Sequence, residues 1–199
     1  MYKDFYSALR ERRSFYAIGS ESKVSDDRIE QVIKEAILHA PSAFNSQSAR
    51  VILLLGEQHK KLWKLTKEVL KEVVGPEHWQ QTEDKIDSFS NGKGTVLYFD
   101  NVKIVEGLQE RFPIYSDNFP VWAQQSNGML QYMIWTSLQS EGLGASLQHY
   151  NPLINQAVKD AWNIPDGWVL NAQMPFGAPT KDPDEKSKIP LEERFFIYK

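Results

Sequence analysis

The chain has 199 residues, 41% of them hydrophobic and 12% aromatic, which is enough apolar mass for one well-packed domain and too much for disorder. A formal net charge of −3 gives no overall pull toward nucleic acid or an anionic membrane, so neither is expected as a partner. The absence of cysteine excludes disulfides, thiol nucleophiles, iron–sulfur clusters and thiolate metal sites, and it suits a reducing cytoplasm. The first residues, Met1-Tyr2-Lys3-Asp4-Phe5-Tyr6, lack the apolar run of a signal peptide. The aliphatic run at 51–55 is far short of the ~20 residues a membrane span needs.

Residues 4–11 read as a short amphipathic helix, with Phe5, Ala8 and Leu9 at helical spacing. It runs into Arg10-Glu11-Arg12-Arg13-Ser14, the densest positive charge in the chain. Arginines at a helix C-terminus are favoured by the macrodipole, and arginine forks beside a hydroxyl also suit a phosphate. The residues leave both readings open. Ser25 is placed to cap a helix over 26–40, with Asp26 and Asp27 in its first turn and Ile29, Val32, Ile33, Ala36, Ile37 and Ala40 on one stripe. Pro41 stops that helix. Ser42, Asn45, Ser46, Gln47 and Ser48 then place hydroxyls and amides just before a strand at 51–55. Such a segment is either a turn bonding its own backbone or a binding loop. The strand is apolar on both faces, which predicts a place in the sheet interior.

A helix over 57–74 follows, closed by Gly75-Pro76, then a more polar helix over 77–89 and a second buried strand at 95–99. Residues 102–112 are weakly helical, and 113–120 read as an ordered loop or lid. Pro120 fits the first position of a long helix reaching about residue 141. That helix is apolar on most sides, which predicts burial around nearly its whole circumference, a second subunit included. Gly142-Leu143-Gly144-Ala145-Ser146-Leu147-Gln148 turns from helix into strand. A short helix at 152–162, a strand at 168–175 and a turn at Phe176-Gly177-Ala178-Pro179 come next. The chain closes with a charged stretch holding Lys186 and Lys188, then a β-rich tail from Arg194 that needs a sheet edge to pair with.

The order of four motifs carries more than any one of them. Arg12-Arg13-Ser14, Pro41-Ser42-x-x-Asn45-Ser46-Gln47, Gly142-Leu143-Gly144-Ala145 and Lys186-Ser187-Lys188-Ile189-Pro190 together resemble the FMN-dependent nitroreductase family. The variant Ala40-Pro41-Ser42-Ala43-Phe44-Asn45-Ser46-Gln47-Ser48, with Ser146-Leu147-Gln148-His149-Tyr150, resembles the fatty-acid-repression branch. The resemblance implies one α+β domain over 1–199, with a central, mostly antiparallel sheet flanked by helices. It implies a homodimer with FMN at the interface and the C-terminal strand exchanged onto the partner subunit. It further implies that Arg12, Arg13 and Ser14 contact the FMN phosphate, ribityl chain and ring edge, with Lys186 and Lys188 neutralising the phosphate. Pro41, Ser42, Ala43 and Asn45, with Gln47 beside them, would reach the flavin from the other subunit. Gly144, Ala145, Ser146, Leu147 and Gln148 would offer backbone groups to the pyrimidine edge and N5. Tyr16 stands where family members often carry a basic residue.

The implied activity is ping-pong: NADH or NADPH passes a hydride to FMN N5, and a small acceptor such as a nitroaromatic or quinone takes it up. No side chain need act as acid or base, and no catalytic dyad is apparent. A flavin- or lipid-responsive regulatory protein with little turnover is the alternative. The histidines (His39, His59, His78, His149) have no metal-ligand spacing, and His39 and His59 read as surface or cap residues. Trp135 and Trp162 read as core.

Overall fold

The computed structural model describes residues 4–199; Met1, Tyr2 and Lys3, part of the opening stretch without an apolar run, lie outside them. The elements run α1 (Phe5–Glu11), β1 (Ile18–Gly19), α2 (Asp26–His39), β2 (Ala49–Leu55), α3 (Gly56–Lys71), α4 (Pro76–Ser90) and β3 (Gly94–Asn101). They continue with α5 (Val102–Arg111), α6 (Asn118–Ser140), β4 (Gly144–Ala145), α7 (Asn155–Trp162) and β5 (Trp168–Pro179). The caps follow local chemistry. The Asp4 carboxylate accepts the N–H groups of Tyr6 and Ser7 at 3.0 and 3.1 Å, and Ser25 Oγ accepts that of Arg28 at 3.2 Å. Among the described residues no helix is long and apolar enough to cross a membrane.

The strands form one antiparallel sheet in the order β1-β5-β3-β2, with β4 also paired to β5. β3 lies between β2 and β5 and is buried from Gly94 to Asp100. Its alternation sends Val96 and Tyr98 to one face, against Ile29 and Ile33 of α2 and Leu130, Ile134 and Leu138 of α6. Leu97 and Phe99 go to the other, against Leu62 and Trp63 of α3, Ile86 and Phe89 of α4 and Val158 of α7. This is an α+β fold with helices on both faces of the sheet.

Four features differ from the expectations or add to them. β2 is an edge strand rather than an interior one, and of its residues only Leu54 is fully buried. Its two apolar faces report the helix layers above and below it, not strands on both sides. Phe176-Gly177-Ala178-Pro179 is not a turn but the last third of β5, held straight by β4 and β1: Gly144 pairs with Gly177, Ala145 with Phe176, Gly19 with Ala178 and Ile18 with Pro179. The tail at 194–199 forms no strand within one chain, and Phe195, Phe196, Ile197 and Tyr198 lie exposed. Finally, α6 begins at Asn118, ahead of Pro120, and leaves Val121, Met129 and Tyr132 bare. Phe5, Tyr6 and Leu9 of α1 and Ile37 and Leu38 of α2 are bare too. Patches of that kind mark interfaces.

His59 is not a surface residue either; it is 1% exposed. Its Nδ1 lies 2.8 Å from Thr95 Oγ1 and its Nε2 3.2 Å from the Ser90 carbonyl oxygen. Trp63 Nε1–H donates to the same hydroxyl at 2.9 Å. Thr95 has one proton and the carbonyl has none, so the set is satisfied by neutral imidazole: Thr95 donates to Nδ1, and Nε2–H donates to Ser90. Burial accordingly pushes the His59 pKa down from 6.5 to about 4. Because the unfolded chain takes up this proton first, the contribution is complete above pH 6.5 and is lost as pH falls toward 4. About 2 kcal/mol should be gone by pH 5. Urea unfolding at pH 7 and pH 5 checks this, with His59→Gln expected to remove that part of the difference.

Candidate functional site

Beyond α1 the chain turns inward and docks on β4. Ser14 bridges Ala145 in parallel, and the Phe15 N–H donates to the Ala145 carbonyl at 2.9 Å. Trp135 Nε1–H of α6 donates to the same oxygen at 3.2 Å. Gly144 permits the approach, since a Cβ there would sit 2.8 Å from Phe15 Cβ. Two motifs distant in sequence thus become one wall. Arg12 lies across the Trp135 ring with its Cζ 4.3 Å from the centroid, which fixes the direction of its fork. Arg13 donates through Nη2 to the Asp184 carbonyl and so ties down the C-terminal loop.

A cleft of about 420 Å³ results, with Arg12, Arg13, Ser14, Tyr16, Lys181 and Lys186 among its lining residues. Asp182, Asp184 and Glu185 also line it, so four cations face three carboxylates. Lys188 is exposed and stands outside the lining. Lys181 was missed from sequence, because nothing local marks it apart from other surface lysines.

The strap after β4 is held by β5. Ser146 N–H donates to the Pro175 carbonyl at 3.2 Å, and Gln148 exchanges backbone bonds with Gln173 at 2.7 and 2.9 Å. Those two N–H groups are therefore committed to the sheet. Successive N–H groups of an extended segment point opposite ways, so the Leu147 N–H faces away from β5. Gln173, 0% exposed, fixes the strap further by accepting the Tyr150 N–H through Oε1 at 2.8 Å.

The third motif forms a different wall. Pro41, Ser42, Ser46, Gln47 and Arg50 line a second cleft of about 390 Å³, with Ser126 and Leu130 of α6 opposite. Phe44, Asn45 and Gln47 have φ of 55, 51 and 48°, left-handed values that bulky residues avoid. The turn is held by Ser42 Oγ accepting the Gln47 N–H at 3.0 Å and Ser126 Oγ accepting the Ala43 N–H at 3.4 Å. Arg50 Nη1 donates to the carbonyls of Gln47 and Ala49 at 2.7 and 2.9 Å. Behind it, the buried Asp100 carboxylate accepts from Ser48 Oγ at 3.0 Å and Asn171 Nδ2 at 2.6 Å. Burial raises the Asp100 pKa, and those bonds hold it back. Phe44 itself meets Phe112, Phe119, Tyr115 and Trp122 at ring-centroid distances of 5.0, 5.2, 6.0 and 6.0 Å. The two clefts share no lining residue.

The Nitroreductase family model matches residues 9–178. The nitroreductase FRM2 of Saccharomyces cerevisiae is 30% identical over 188 residues, covering 94% of this chain and 93% of FRM2. The nitroreductase CinD of Lactococcus lactis, solved in complex with 4-nitrophenol, is 39% identical and matches with a TM-score of 0.90 over 98% of this chain and 100% of that one. A Desulfitobacterium hafniense nitroreductase with bound FMN, 16% identical, shares the fold with a TM-score of 0.71 over the whole of both chains. With the predicted motifs set on the predicted kind of fold and a family match over most of its length, this chain belongs to the nitroreductase family.

Proposed function

We propose that this nitroreductase-type oxidoreductase is FMN-dependent, uses NADH or NADPH to reduce nitroaromatic or quinone acceptors, and works as a homodimer with FMN between its subunits. The observation that carries the reading is the wall where Arg12, stacked on Trp135, meets Arg13, Ser14 and Lys186 beside the β4 strap. The donor set fits a phosphate: two guanidinium forks, a hydroxyl and two ammonium groups converge on one cleft. Because three carboxylates also line it, directed forks rather than net charge supply the fit. FMN, when bound, supplies the redox chemistry by taking a hydride from the nicotinamide and giving it to the acceptor. The chain's own part is positioning: Arg12 and Lys186 hold the phosphate, and the Leu147 N–H, turned away from β5, is free to meet the ring edge.

The dimer reading rests on complementarity. The second wall, Pro41 to Gln47, is separate from the arginine cleft on one chain, so a complete site needs that wall from a partner. The bare faces of α1, α2 and α6 give such a partner an apolar surface to cover. β2 offers an open edge, and the exposed residues 194–199 offer a segment able to pair with one, which supports exchange of the C-terminal strand.

The test is the visible spectrum of the purified protein with the released cofactor identified by mass. A yellow protein carrying one FMN per chain, oxidising NADH or NADPH with a quinone faster than free FMN does, is expected. A colourless protein that takes up no added FMN overturns the reading, and flavin binding without turnover above free FMN overturns its enzymatic half.

A further inference from the structure

A groove of about 780 Å³ adjoins the arginine cleft, and Tyr16 lines both. Its floor is apolar, with Leu70 of α3 and Val74 just beyond that helix, and Tyr150 closes the side where the strap after β4 ends. Lys85 of α4 is the one cation among its lining residues. Arg12, Arg13, Lys181 and Lys186 all line the arginine cleft instead.

Lys85 is seated without being neutralised. Its Nζ lies 6.0 Å from the Tyr16 ring centroid and 5.9 Å from that of Phe89, and the two rings are 6.2 Å apart. Phe89 is fully buried, so this seat is part of the core. The carboxylates nearby on α4 are engaged elsewhere. Lys67 pairs with Glu83 at 3.4 Å and with Asp87 at 2.5 Å, and Asp84, which also lines the groove, accepts from Gln80 Nε2 at 2.9 Å. Tyr150 adds no negative charge, because burial pushes its pKa up to about 12.

We infer that Lys85 sets the reduction potential of the bound flavin by favouring the reduced ring over the oxidised one. This rests on the FMN reading: a ring whose phosphate lies in the arginine cleft and whose edge meets the Leu147 N–H lies along the strap, which ends at Tyr150 where the groove begins. Hydride transfer from the nicotinamide adds one hydrogen and one negative charge to a neutral ring, and the donor leaves as oxidised nicotinamide. The cations of the arginine cleft already face the phosphate. A cation at the ring end gains its interaction only once that new charge has arrived, so it acts on the redox equilibrium and little on binding of the oxidised cofactor.

The experiment uses the FMN-loaded protein at fixed pH. The midpoint potential is read by slow enzymatic reduction against an indicator dye, and the affinity for oxidised FMN by fluorescence titration. Lys85→Gln should weaken reduced FMN about tenfold relative to oxidised FMN, which lowers the two-electron potential by about 30 mV. Lys85→Arg, which keeps the charge, should change that ratio less than about twofold, and Lys85→Glu, which reverses it, about a hundredfold. An unchanged potential in a yellow Lys85→Gln protein overturns the proposal, as do equal potentials for the Gln and Glu variants. Equal weakening of oxidised and reduced FMN, or a Lys85→Gln protein that takes up no FMN where wild type does, overturns it too, since the lysine then holds the cofactor in either state. A wild-type protein that takes up no FMN overturns the flavin reading itself and this one with it, which is distinct from a yellow variant of unchanged potential.

Discussion

Replacing Gly177 with valine should lower the unfolding free energy by about 3 kcal/mol, the upper end of the usual range for overpacking. The cause is backbone, not side chain. A Cβ at Gly177 would stand 2.3 Å from the Gly19 carbonyl oxygen and 3.1 Å from the Lys93 backbone nitrogen. Neither atom can swing aside as the end of a long side chain would, so β1 and β5 must separate. β4 pairs with β5 at this same residue, and β4 carries the wall on which Ser14 and Phe15 dock. Flavin affinity should therefore fall with stability, and Gly177→Ala should show a smaller version of both losses. Urea unfolding with a parallel FMN titration measures the two effects, and a valine variant within about 1 kcal/mol of wild type would mean β1 yields freely.

Arg12→Ala should weaken FMN binding by about a hundredfold, since one charge-assisted bond contributes about 1.5–3 kcal/mol. Arg12 differs from Arg13 in how its charge is held. The Arg13 fork has already given one donor to the Asp184 carbonyl, whereas Arg12 rests on the Trp135 face. Trp135→Leu should thus weaken FMN about tenfold through the loss of that orientation, and it should cost little more once Arg12 is gone. Fluorescence titration of FMN with wild type, both single variants and the double variant measures the coupling. Unchanged affinity in Arg12→Ala would reduce the arginine cluster to charge at the end of α1.

How much of this could be read beforehand depends on how local the cause is. Ser25 and the Ile29–Ala36 stripe predict α2 because cap and periodicity lie within a few turns of each other. β2 was misplaced because apolar faces report what lies above and below a strand, while edge position depends on what pairs beside it. Phe176-Gly177-Ala178-Pro179 carries turn composition, but its glycine serves a close backbone approach and its proline lies at the end of β5 opposite β1. His59 sits in a polar sequence, and the partners that bury it are 31 and 36 residues further on.

The candidate site divides the same way. Arg12-Arg13-Ser14 and Gly144-Ala145 were legible as motifs, but their docking depends on β4 finding β5. Gln173 and Lys181 left no local signal. Phe44 was visible as a residue, but the left-handed turn that strains it and the rings around it come from three separate segments.

The His59–Thr95–Trp63 chain has an optical consequence. Protonation turns Nδ1 from an acceptor into a donor, so the Thr95 proton must leave that nitrogen and its oxygen must accept from two N–H groups where it had accepted from one. The second of those groups belongs to the indole of a fully buried tryptophan, one of six in the chain. A charge appearing on a hidden imidazole is thereby translated into a changed bond at a chromophore, and acidification of the core is written into the protein's intrinsic emission with no label attached.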